Sequence, residues 1–97
     1  EITKLEGKFK LKAPDGRNNL CGQNVARLRK RKGLSQRKFA EKLQVAGYDV
    51  DSHFIRRIEL GERFVTDIEL CILADAFGVS LEELVRGNDG AGWNLSD

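Results

Sequence analysis

Ninety-seven residues, 40% hydrophobic and 33% charged, with one proline and no methionine, describe a single domain with a modest core. No apolar run approaches the roughly 20 residues of a membrane span, and no signal-peptide pattern opens the chain, so the expected setting is the cytoplasm without membrane contact. The net charge of +2 hides a division: residues 1–58 carry 15 Lys/Arg against 6 Asp/Glu, whereas residues 59–97 carry 2 against 9. A basic half suited to a polyanion and an acidic half facing away is one explanation of it.

Residues 1–17 form a segment of their own. Lys8 to Ala13 alternates basic and apolar residues as a strand would, and Pro14-Asp15-Gly16 is a turn signal. A disordered leader, a strand pairing with a second chain and a basic arm on nucleic acid all fit it.

The folded domain is expected over 18–87. Asn18 or Asn19 can cap a first helix running to about Lys32, with Cys21, Val25 and Leu28 inward and Gly33 as its stop. Its last turns hold Arg27, Arg29, Lys30, Arg31 and Lys32, more cations than the helix dipole requires. Ser35 caps a second helix from Gln36 to about Leu43, with Leu34 and Phe39 as a hydrophobic staple and Phe39, Ala40 and Leu43 inward. A connection at 44–50 follows, in which Val45, Tyr48 and Val50 are expected to pack down.

The third helix lies between Asp51, a good N-cap, and Gly61, a good left-handed stop. At 100° per residue Phe54, Ile55 and Ile58 fall on one side and His53, Arg56 and Arg57 on the other, with Ser52 and Glu59 near the boundaries. An apolar back and a front of hydroxyl, imidazole and guanidinium donors suit a helix that reads base edges, although an ordinary amphipathic helix has the same outline. Phe64 is expected inside. Thr66-x-x-Glu69 and Ser80-x-x-Glu83 are capping boxes for a fourth and a fifth helix, with Val65/Leu70 and Val79/Leu84 as their staples. The Gly-, Asn- and Asp-rich residues 88–97, which include Trp93, are expected to form a mobile tail.

Metal and catalytic chemistry find little to work with. Cys21 and Cys71 sit in apolar helical patterns and are expected to be buried, reduced thiols; His53 is the sole histidine, so a zinc site is not expected. Neither a nucleophile–base pair nor a phosphate-loop glycine spacing is visible. The expectation is a protein without cofactor, without an identifiable small-molecule effector and without enzymatic activity.

The order of these features resembles the lambda-repressor-like (Xre, Cro-type) helix-turn-helix regulators. The matching pieces are Leu28-Arg29, Gly33-Leu34-Ser35-Gln36, Phe39-Ala40-Glu41-Lys42-Leu43, Ile55-Arg-Arg-Ile-Glu59-x-Gly61, and Leu73-Ala74-x-x-Phe77-Gly78-Val79-Ser80-Leu81-x-x-Leu84, which together cover about residues 21–86. The resemblance implies a compact all-α domain of five helices and a transcriptional regulator that binds double-stranded DNA, as a homodimer. It implies base readout by Ser52, His53, Arg56 and Arg57, and phosphate contacts from Gln36, Arg37 and Arg63. It assigns Arg29 and Glu59 to a structural pair that orients the reading helix. The chain departs from the family in one place: the connection between the second and third helices carries about five residues more than the usual turn of about three or four. The same fold turned to a protein partner, as in an antitoxin or antirepressor, is the alternative reading, supported by the acidic 59–97 half and by Trp93.

Overall fold

A computed structural model describes residues 12–87. Within them the chain forms α1 (Gly22–Arg31), α2 (Gln36–Val45), α3 (Ser52–Glu59), α4 (Asp67–Phe77) and α5 (Leu81–Arg86), and no strand. The expected alternation at 8–13 and the tail with Trp93 lie almost wholly outside the described residues. The Pro14-Asp15-Gly16 turn is present: Gly16 has φ +87°, and Asp15 Oδ1 accepts from the Arg17 amide at 3.1 Å.

Local chemistry sets the helix starts. Ser35, Asp51, Thr66 and Ser80 each accept a hydrogen bond from the backbone amide three residues on, satisfying one of the orphan donors of a first turn. At Thr66 the box is reciprocal, with Glu69 Oε1 accepting from the Thr66 amide at 3.0 Å. At Ser80 the serine half of the box is formed. The first helix differs: it starts at Gly22, its N-cap residue Cys21 has no side-chain cap, and Asn19 Oδ1 accepts from the Gly22 amide instead at 2.9 Å. At the far ends, Gly61 and Gly78 take φ of +79° and +69°, a region open to glycine at little cost.

One core joins the five helices. Val25 and Leu28 from α1, Phe39 and Leu43 from α2, Ile55 and Ile58 from α3, Leu73 and Phe77 from α4 and Leu84 from α5 are buried together. The Phe39 and Phe77 rings stack at 4.7 Å across α2 and α4, a geometry that adds to the area they bury. The second and third helices pack on each other, and α1 packs on α3, α4 and α5. The third helix is thereby held from two sides.

Four residues expected in the interior lie at the surface. Val45 is 89% exposed: α2 runs two residues further than its apolar pattern suggested, and two residues turn Val45 about 200° away from inward Leu43. Tyr48 lies at the surface as well, so of the connection's apolar residues Val50 alone packs on the core. Phe64 is 43% exposed, because residues 62–65 are not helical and its ring lines the rim of a surface hollow with Asn19, Leu70 and Val85. Cys71 lies at the surface, on the outward strip of α4 with Ile68 and Asp75; Cys21 is buried as expected.

Candidate nucleic-acid interface

The outward face of α3 is built from its first turn upward. Asp51 has extended backbone angles and its carboxylate accepts from the Phe54 amide at 3.0 Å, which fixes where the helix begins. From that start Ile55 and Ile58 are both fully buried and Phe54 is half-buried, so Ser52, His53, Arg56 and Arg57 must project outward, and all four are exposed. Arg57 Nε lies 3.8 Å from Glu62 Oε1, a loose surface pair of little energetic weight that leaves its donors available.

The back end of α3 is fixed by Glu59. Arg29 Nε and Nη2 donate to its two oxygens at 2.7 and 2.9 Å, a bidentate fork, and Gln36 Nε2 donates to Oε1 at 2.9 Å. Arg29 Nη1 donates to the Leu34 carbonyl at 2.7 Å. Side-chain exposures of 9% and 7% leave the pair almost dry. The carboxylate beside it raises the Arg29 pKa above its ordinary value, although burial acts in the opposite direction. One carboxylate on α3 is thus tied to α1 and to the start of α2.

The residues with phosphate-binding chemistry stand differently. Arg37 is on the open surface of α2, 79% exposed on its side chain, with Glu41 Oε2 at 3.4 Å one turn away. Gln36 occupies the first position of α2, and its amide is turned onto Glu59. Arg63 is folded back on the protein: Nη2 donates to Glu69 Oε2 at 2.7 Å, Nη1 donates to the Phe64 carbonyl at 3.1 Å, and the guanidinium sits 4.7 Å from the Phe54 ring centroid. In this position Arg63 braces the α3–α4 loop.

The connection between α2 and α3 is residues 46–51, displaced from the expected 44–50 and with a smaller excess over the usual turn than expected, because α2 runs on to Val45. It is held at its start by the Tyr48 amide donating to the Leu43 carbonyl at 3.0 Å and at its end by Gln44 Nε2 donating to the Val50 carbonyl at 2.7 Å. Gly47, with φ +103°, makes the turn between them.

A second set of restraints on α3 was not visible as such in the sequence. Arg17, Asn18 and Asn19, just ahead of α1, reach carbonyls in the last turn of α3 and in the loop that leaves it. Arg17 Nη2 donates to Glu59 O at 2.5 Å, Asn18 Nδ2 to Glu62 O at 3.0 Å, and Asn19 Nδ2 to Ile58 O at 3.1 Å and Arg63 O at 2.8 Å. The Asn18 amide donates to Gly61 O at 2.8 Å. The two asparagines were legible only as caps of the helix that follows them.

Among the described residues no group of three or more His, Cys, Asp and Glu is placed to hold a metal ion, and no helix is long and apolar enough to cross a membrane.

Comparison with known proteins agrees with this architecture. The family model described as a helix-turn-helix domain matches residues 22–86. The chain is 40% identical over 70 residues to an uncharacterised HTH-type transcriptional regulator, y4dJ, of Sinorhizobium fredii (strain NBRC 101917 / NGR234); the match covers 72% of this chain and 84% of that protein. No solved structure matches. The matched span runs from the first residue of α1 to the last of α5, with α2 and α3 as the turn-linked pair at its centre: the chain belongs to the helix-turn-helix domain family.

Proposed function

We propose that this chain is a sequence-specific, double-stranded DNA-binding transcriptional regulator that reads the major groove with α3. The observation that carries the reading is the two-faced geometry of α3. Ile55 and Ile58 are wholly buried, and Ser52, His53, Arg56 and Arg57 are exposed on a helix fixed at both ends. Guanidinium groups pair with the O6 and N7 edge of guanine, and the shorter donors suit other base edges. The S. fredii relative is named as a transcriptional regulator, which supports that role.

Phosphate anchoring falls to Arg37 and to the first turn of α2, whose free backbone amides favour an anion. For Gln36 and Arg63 to serve there, each must exchange an internal partner, Glu59 or Glu69, for phosphate. We assign the chain to a homodimer on a two-fold site, with half-sites about 34 Å apart, acting in the cytoplasm without enzymatic activity.

Selection of bound duplexes from a random DNA pool tests the reading. Recovery of an enriched palindromic motif is the expected result. An unenriched pool, with a second polypeptide co-purifying instead, would sink it in favour of a protein-binding role.

A further inference from the structure

We propose that Asn19 is a positioning residue for the reading helix: its carboxamide joins the start of α1 to the end of α3 and so sets the angle at which the exposed face of α3 is presented. This rests on the DNA-reading role of α3.

Three observations converge on that junction. Both polar atoms of the Asn19 carboxamide are engaged, the oxygen accepting from Gly22 N at 2.9 Å and the nitrogen donating to Ile58 O at 3.1 Å and Arg63 O at 2.8 Å. Both acceptors are main-chain groups, one in the last turn of α3 and one in the loop leaving it, so the side chain grips the backbone rather than a mobile side chain. Gly22 is buried where a Cβ would collide with the Ile58 carbonyl oxygen, which places α1 and α3 in backbone contact here. Over Gly61, where φ is +79°, lies the Arg17 side chain, whose Nη2 also reaches the Glu59 carbonyl.

The last carbonyls of a helix have no partner within it, and a short helix has few turns over which to average an error in direction. The third helix has eight residues. Holding the Ile58 carbonyl, and through Arg63 the loop that leaves the helix, from a neighbouring element therefore fixes its axis. The Glu59 carboxylate restrains the side of the same end facing α2, and Asn19 restrains the side facing the start of α1. Base recognition demands that several side chains meet fixed edges at once, so a tilt of the axis lowers selectivity before it lowers general DNA affinity.

Asn19→Asp separates the two roles of the residue. A carboxylate is isosteric, still accepts from Gly22 N and suits the N-terminus of α1, but has no donor for the carbonyls of Ile58 and Arg63. The affinities of wild type, N19D and Arg17→Ala are measured for the selected duplex and for a scrambled duplex of the same length, at a temperature where circular dichroism shows each protein folded. The expected result is a fall of about fivefold or more in the ratio of the two affinities for N19D, the least that one misaligned base contact is worth, with the salt slope on scrambled DNA unchanged. R17A is expected to lower the ratio in the same direction; loss of a phosphate contact alone would weaken both duplexes equally. A selective wild type with folded N19D and R17A keeping the wild-type ratio overturns the positioning role, as would R17A alone keeping it if N19D does not fold. A wild type that selects no duplex overturns the DNA-reading role itself, and the positioning role with it.

Discussion

Arg29 and Glu59, thirty residues apart, meet in a bidentate ion pair that is almost sealed from water, with N–O distances of 2.7 and 2.9 Å. A pair of this kind is a poor guide to net stability, because desolvation consumes much of the Coulombic gain. Its geometry is informative instead. The fork allows one orientation of the carboxylate, and Gln36 takes up the remaining capacity of Oε1. The end of α3 is locked to α1 and α2 together.

Removing one partner is costly for the same reason. Arg29→Met leaves the Glu59 charge buried with the Gln36 amide alone, and we expect a loss of about 3–5 kcal/mol in urea unfolding. The double variant R29M/E59L removes both charges and should recover a substantial part of that loss. DNA selectivity in the double variant should nevertheless stay low, because an apolar contact does not fix the orientation of α3. Full recovery of both properties would show that the pair has no orienting role.

Asp51 holds the opposite end of α3. Its carboxylate accepts from the Phe54 amide at 3.0 Å and faces the positive end of the dipole. Asp51→Ala should cost about 1 kcal/mol in chemical denaturation, and Asp51→Asn much less, since an asparagine keeps the acceptor. The first turn carries Ser52 and His53, so D51A should also lose affinity for the selected duplex. An Ala variant as stable as the Asn variant would remove the cap from the account of α3.

These two ends show what a sequence makes legible. A cap joins a side chain to a backbone amide three residues away, so Ser35, Asp51, Thr66 and Ser80 could be placed from spacing alone, as could the inward positions of α1, α2 and α3 and the glycine stops. The Arg29–Glu59 pair, across thirty residues, was expected only through family resemblance. What stayed hidden depends on how α1 docks on α3. Arg17 and Asn18 bond carbonyls 42 and 44 residues away, and Arg63, with the chemistry of a phosphate ligand, instead finds Glu69 and Phe54 once α3 and α4 are in place. Cys71 and Val45 misled for a simpler reason: an apolar residue within a helical pattern does not declare its face when the pattern is apolar nearly all round or when the helix runs past its expected end.

Arg57 provides the contrast between reading and anchoring. Exposed on α3 and only loosely paired with Glu62, it is expected to contact a base edge. Arg57→Ala should weaken binding to the selected duplex by about 1–3 kcal/mol and leave scrambled DNA nearly unaffected. Arg37→Ala should weaken both and reduce the salt slope by about one. For the wild type, if about six phosphates are neutralised, log affinity against log salt should fall with a slope near −5. Equal losses on both duplexes for R57A would reassign Arg57 to the backbone.

The two thiols should behave in opposite ways. Cys71, at the surface, should react with a disulfide reagent in the native protein, while Cys21, buried at the start of α1, should react only on unfolding, so one thiol titrates in buffer and two in guanidinium. Burial pushes the Cys21 pKa from 9.0 up to about 11, against smaller opposing effects of a backbone hydrogen bond and of Arg17. The thiol therefore deprotonates first in the unfolded chain. Between those two values the unfolded state holds fewer protons than the native one, so this group destabilises the fold progressively as pH rises through that window and has no effect below it. Cys21→Ala should show a flatter decline in stability above pH 9 than the wild type, on top of the constant cost of its smaller side chain. Parallel pH profiles for the two proteins would show that Cys21 ionises no differently when folded.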